Sequence, residues 1–411
     1  MNSSQPTQTK ERYLILDALR GFALLGIALA NFPEFSLYSF LDESATSLMP
    51  TAAVDKWVRF LEYVFVDGKF YTLFSLLFGI GFSIIIEHAE KRGANGFVIF
   101  YRRMFILLLI GIAHMLLLWS GDILALYAVL GMILPLFRRM SNRWLLRCAA
   151  FFLVLPVVVD AVVEMFALAP SQWFLGKQWH FCGLYGITEA NFAYWLQQHD
   201  TYSATLQFLV QGAFERMTEF IDGNRYFKVL GLFILGFYVG RNRLYAKISE
   251  FREQMKTMLK WCAAVGVPLS VVYAWSSTHG HPWGLALHTL LYTLSVFPTA
   301  FAYVFALALI HDKSGDTCAF RFLAAPGRMA LSNYLGQTLW GMILFYGIGL
   351  GLGTHVGLVT VVAIVVVVYV VEALFSKLWL HYFNYGLIEW IWRMLTYGKV
   401  LSIVKSADGN K

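Results

Sequence analysis

RRMFILLLIGIAHMLLLWSGDILALYAVLGMILPLFR, residues 102–138, consists of two strongly apolar runs joined by Ser120-Gly121-Asp122. Arginines stand at both far ends, Arg102 and Arg103 before it and Arg138 and Arg139 after it. Two apolar runs of bilayer-spanning length with a tight polar turn read as a transmembrane hairpin. The arginines mark one side of the membrane and Asp122 faces the other. His114 lies inside the first run. A charge at a helix centre costs roughly 2.5–3.5 kcal/mol on insertion scales; neutral histidine costs less but still needs a reason to be there.

The composition agrees with this reading. Of 411 residues, 58% are hydrophobic and 14% charged, against about 25% charged in soluble domains. The whole chain therefore reads as one membrane domain, 1–411, an all-α polytopic bundle. The net charge of +7 is spread over short loops rather than gathered in a patch, which argues against a nucleic-acid partner. Cys148, Cys182, Cys262 and Cys318 are scattered, with no CxxC pair, disulfide framework or zinc site. The polar start, MNSSQPTQTKERY, shows no cleavable signal, so the first span is expected to stay as an anchor.

About ten spans are expected, at 14–32, 70–86, 104–119, 123–137, 148–168, 226–240, 259–276, 285–310, 328–350 and 356–380. With the N-terminus inside, most of the 32 Lys and Arg residues fall on the inner side. That asymmetry implies an even number of spans with both termini in the cytoplasm. Residues 33–69 and 170–225 carry amphipathic stretches expected at the outer interface. The segment 384–411, with GLIEWIWRMLTYG, is expected as an inner interfacial helix and tail, its tryptophans at headgroup level.

The candidate chemistry starts from His114 and Asp122. A histidine oriented by a carboxylate is the arrangement of a general base, and equally of two buried polar residues bonding each other. Asp17 and Arg20 share a helix face three residues apart; they form an intramembrane ion pair or an anion site, since arginine matches phosphate geometry. Asn31, at the outer end of the same helix, can orient a substrate or bond a neighbouring helix. Glu372, within VVVVYVVEALF, reads as an arginine's partner, a proton carrier or a protonated structural residue. Arg328, Asn333 and Gln337 open one span, the last two on one face. Asp160 and Glu164 look structural. His279, His281 and His288 are too poorly supported by acids or cysteines to make a metal site. The glycines of GLFILGFYVG (231–240) and GIGLGLG (347–353) read as close-packing positions.

Five blocks resemble the YeiB-type family of bacterial inner-membrane proteins. They are LDALRGFALLGIALANF (16–32), FYTLFSLLFGIGFS (70–83), the hairpin, GRMALSNYLGQT (327–338) and YGLIEWIWRMLTYG (385–398), in that order. The first block is also similar to the start of the heparan-glucosaminide acetyltransferase group and, more weakly, of the acyltransferase-3 enzymes. Those move an acyl group from cytoplasmic acyl-CoA to a sugar. Neither group's catalytic histidine is present: residues 33–69 contain none, and the position four before Arg20 is Leu16. The resemblance thus implies a membrane acyltransferase with His114 as base or acyl carrier and Asp122 orienting it. Acyl-CoA phosphates would lie near Arg20, Arg103 or Arg328, with an envelope glycan or small molecule as acceptor on the outer side. The rival reading is a small-solute transporter using Glu372, Asp160 and His114. Self-association is left open.

Overall fold

The computed structural model describes residues 13–91 and 95–405. The N-terminal leader before Tyr13 and the end of the 384–411 tail past Lys405 lie outside the described residues. The chain runs through α1 (Leu14–Phe35), α2 (Glu43–Ser47), α3 (Ala52–Phe65), α4 (Lys69–Lys91), α5 (Gly96–Leu117) and α6 (Leu124–Ile133). It continues with α7 (Asn142–Met165), α8 (Gln172–Tyr185), α9 (Trp195–Gln198), α10 (Tyr202–Asp222), α11 (Arg225–Arg241) and α12 (Arg252–Thr278). The last helices are α13 (Leu285–Ser314), α14 (Cys318–Arg328), α15 (Ala330–Phe345), α16 (Leu358–Tyr382) and α17 (Leu387–Tyr397). The chain is a polytopic helical membrane bundle; among the described residues the β structure is one bridge, Phe383 to Val404.

Every expected span coincides with a helix, but not all are long enough to cross a bilayer alone. Among the described residues seven stretches are long and apolar enough. The other three are α6, α11 and α15, of 10, 17 and 16 residues. At 1.5 Å per residue the longest of these reaches only about 25 Å against a core of about 30 Å. Packing supplies the reason. α11 is apolar nearly all round and is wrapped by α4 and α7. α15 ends at Phe345, and residues 346–353 fold back on it, with Leu350 N–H donating to Ile343 O at 2.7 Å.

Periodicity separates protein-facing from lipid-facing surfaces. On α5 the buried stripe is Phe100, Met104, Leu107, Gly111 and His114, while Phe105, Leu109, Ile112 and Leu116 are exposed. α7 and α16 expose comparable valine and phenylalanine stripes, which belong against lipid tails. α1 is the central helix. A Cβ on Gly21 would lie 1.8 Å from Leu323 O, and one on Gly327 1.9 Å from Asp17 O. Only glycine lets α1 and α14 cross this closely. The α4–α11 crossing works the same way, through Gly79 and Gly236.

The tryptophans of α17 behave differently from the interfacial expectation. Trp392 is buried; its indole N–H donates to Arg103 O at 2.9 Å. Trp390 donates to Leu401 O at 2.7 Å. The α17 helix packs against α5 and α15, so it plugs one end of the bundle as well as facing its surface.

Candidate functional site

His114 is the last member of the inward stripe of α5. At Gly111 a Cβ would sit 2.4 Å from Ala125 N, so α6 starts hard against α5. The 120–122 turn then drops Asp122 beside the imidazole. His114 Nδ1–H donates to Asp122 Oδ1 at 2.8 Å, and Ala125 N–H donates to Asp122 Oδ2 at 2.8 Å. With the proton on Nδ1, Nε2 is an acceptor, and the Thr338 hydroxyl donates to it at 2.9 Å. Asp122 and Thr338 are fully buried and His114 is 2% exposed. The result is a hydroxyl–imidazole–carboxylate line with the tautomer fixed, which makes Nε2 the basic atom. Thr338 is a partner that sequence reasoning missed, because 224 residues separate it from His114.

Below this line lies a cavity of about 320 Å³. Its far walls are Leu107, Ile123, Leu124, Tyr127 and Tyr334. The Tyr334 ring packs on the His114 ring with centroids 5.3 Å apart. The mouth carries Asp17, Arg20, Arg103, Arg328, Glu389 and Arg393, beside Tyr13 and Tyr397. Arg20 donates to Asp17 Oδ1 at 2.7 Å, and its side chain is 26% exposed against 4% for Asp17. The Arg103 guanidinium stacks on Trp392 at 3.6 Å from the ring centroid. Glu389 is committed to structure: its carboxylate accepts from Leu331 N–H, Ser332 N–H and the Ser332 hydroxyl, capping α15. Next to the mouth, burial first and then the charge of Arg328 push the Lys405 ammonium below its usual range. Four arginines against two acids make this end of the cavity cationic while its interior is apolar.

Arg20, Arg103 and Arg328 were expected at an anion site, and the fold brings them together with Arg393, which sequence reading did not single out. The other candidates lie elsewhere. Asn333 Nδ2–H donates to Pro326 O at 3.2 Å and to Ser376 Oγ at 2.9 Å. Gln337 Nε2–H donates to Glu372 Oε2 at 3.0 Å. Both pairs join α15 to α16 outside the cavity wall. Asn31 is half-buried one turn before Glu34 on α1. Asp160 accepts from Asn224 and Thr289, and Glu164 accepts from Ala286 N–H at 3.0 Å; both are structural ties to neighbouring helices.

Beside His114, whose ring lies 6.1 Å from that of Trp119, is a second polar group. Trp119 Nε1–H donates to Glu34 Oε1 at 2.9 Å. Arg216 Nε–H donates to Ser120 O at 3.2 Å, and its guanidinium pairs with Glu219. Burial, then the neighbouring Glu34 and Glu219 carboxylates, push the Glu215 carboxyl up to about 8. A half-buried acid near two others was not legible, because α1 and α10 are remote in sequence.

Three comparisons bear on the chain. The family described as "Protein of unknown function (DUF418)" matches residues 239–399, which hold α15, α16 and α17. "Uncharacterized 39.9 kDa protein in amylase 3'region" of Bacillus acidopullulyticus is 30% identical over 98% of this chain and 99% of its own length. "Uncharacterized protein YxaH" of Bacillus subtilis is 29% identical over 97% of both. "Uncharacterized protein YeiB" of Escherichia coli is 27% identical over 94% of this chain and 96% of its own. No solved structure matches.

Proposed function

The chain belongs to the YeiB-type, DUF418 family, and we propose that it is a membrane acyltransferase that takes its acyl group from acyl-CoA. The carrying observation is the cavity: four arginines at its mouth, apolar walls, and Tyr334 at its far end touching His114. A CoA thioester has that polarity, with phosphates at one end and an acyl chain at the other. Arginine forks bind the phosphates, and burial of the chain stabilises by about 0.8 kcal/mol per CH₂. The arrangement therefore favours longer acyl chains over acetyl.

In this reading the arginine end faces the cytoplasm of a bacterial inner membrane, with both termini on that side. His114 Nε2 removes the proton of an acceptor hydroxyl or amine as that atom attacks the thioester carbonyl. The Thr338 hydroxyl holds the position that the acceptor takes, so it must swing aside. The departing CoA sulfur recovers the proton. Asp122 keeps Nδ1 protonated and the ring oriented. The acceptor, an envelope glycan or small molecule, arrives from the Glu34–Arg216 side.

The test is thermal unfolding of the detergent-purified protein with acetyl-CoA, longer acyl-CoAs and free CoA. A ligand specific to the folded state stabilises by about 2.7 kcal/mol at a hundred times its Kd. A rise that grows with chain length and is lost in Arg20→Ala supports the reading. No rise with any CoA species overturns it in favour of a solute transporter, for which the buried Glu372 is the natural starting point.

A further inference from the structure

Glu372 lies mid-way along α16, at a depth where lipid-facing valines flank it. Its residue is 5% exposed, and Gln337, facing it from α15, 2%. One hydrogen bond joins them, from Gln337 Nε2–H to Glu372 Oε2 at 3.0 Å. The two remaining oxygens, Glu372 Oε1 and Gln337 Oε1, are buried with no partner. Carboxyl and primary amide are planar forks of matching width, so two of them held coplanar by one hydrogen bond can close a second between the remaining atoms.

The elements packed on α16 are α1, α3, α14 and α15. Their ionisable groups are engaged elsewhere or face other ways. Asp17 and Arg20 of α1 bond each other. Asp55 of α3 accepts from Val359 N–H at the far end of α16. Arg321 and Arg328 belong to α14, and Arg328 lines the cavity mouth. Tyr334 of α15 packs on His114. On α16 itself, Tyr369 gives its hydroxyl to Gly21 O at 2.9 Å. Among the described residues no cation pairs with Glu372.

Two buried acceptors with nothing between them leave desolvated lone pairs, and an uncompensated carboxylate at this depth costs several kcal/mol. A single proton relieves both. We propose that Glu372 is a membrane-embedded proton-binding site: a neutral carboxyl whose Oε1–H donates to Gln337 Oε1 while Oε2 accepts from Gln337 Nε2–H. Hard metal cations fit poorly, since they take six or more oxygens and this pair offers two. Thr338 follows Gln337 in the chain and holds His114. Losing the proton removes the Oε1–H bond to Gln337 Oε1 and leaves the Gln337 Nε2–H bond to Oε2 in place. The inference is independent of acyl transfer.

Infrared spectroscopy tests it on the detergent-purified full chain. At pH 7 the wild type shows the carbonyl band of a neutral carboxyl, exchangeable to deuterium, that is missing from Glu372→Gln. ¹³C-labelled glutamate shows that the band belongs to glutamate carboxyls, and the difference between wild type and Glu372→Gln separates Glu372 from Glu215, which also holds its proton at this pH. Because glutamine mimics the neutral acid, Glu372→Gln folds with an unfolding temperature at or above that of the wild type. The proposal is overturned if Glu372→Gln removes a carboxylate band and leaves the neutral one intact, or if it fails to fold.

Discussion

Replacing Asp122 with alanine removes two hydrogen bonds at once. His114 Nδ1–H and Ala125 N–H each donate to one of its oxygens at 2.8 Å. The imidazole donor stays buried, His114 being 2% exposed, and Ala125 is half-buried. Orphaning a buried donor costs about 1–3 kcal/mol, and the half-buried amide adds less, which puts Asp122→Ala at about 2–4 kcal/mol. Side-chain bonds between helices in membranes average only about 0.6 kcal/mol, because unfolded helices find other partners. Two such bonds would give about 1 kcal/mol. The larger figure is expected here because one of the donors is the first-turn amide of α6, fixed by the Gly111–Ala125 approach. Asp122→Asn keeps one acceptor but turns an N–H at the other donor, so it loses about half as much. The assay is the unfolding free energy in mixed micelles, followed by circular dichroism. A loss under about 1 kcal/mol for Asp122→Ala would refute the idea that this residue anchors both the imidazole and the start of α6.

Gly327→Ala must push α14 off α1, since its Cβ would lie 1.9 Å from Asp17 O. Overpacking of this kind costs about 1–3 kcal/mol or more, and is measured in the same micelle titration. Glu215 gives a pH signature. Its carboxyl holds a proton up to about pH 8 in the folded chain, against 4.5 ordinarily. The folded state therefore binds more protons between those values; stability is full below about 4.5 and falls as pH rises toward about 8. Unfolding midpoints across that range should show the decline in the wild type and a flatter profile in Glu215→Gln.

Much of the architecture was readable from one-dimensional signals. Apolar length located the helices of α1, α5, α7, α12, α13 and α16, and the hairpin reading put His114 and Asp122 on adjacent helices, where they hydrogen-bond. Hydropathy did not set α6, α11 and α15 apart from the longer helices, because a helix sheathed by its neighbours can be wholly apolar at less than bilayer length. Thr338 escaped notice because a hydroxyl in a span carries no hydropathy signal, and its relevance depends on α15 crossing α5. The arginines were visible one by one. Their convergence was not, because Arg20, Arg103, Arg328 and Arg393 sit on four different helices and meet only once Trp392 turns inward and α17 plugs the bundle.

The most direct test of the account is to find where an acyl chain rests. A long-chain acyl-CoA carrying a photoreactive group at the chain terminus is irradiated with the purified protein, and the adducts are mapped by mass spectrometry. The account predicts adducts at the far wall of the cavity, on Leu107, Ile123, Leu124, Tyr127 or Tyr334. They should be competed away by unlabelled acyl-CoA and lost in Arg103→Ala. Adducts confined to the lipid-facing stripes of α7 and α16, unaffected by competitor, would contradict it.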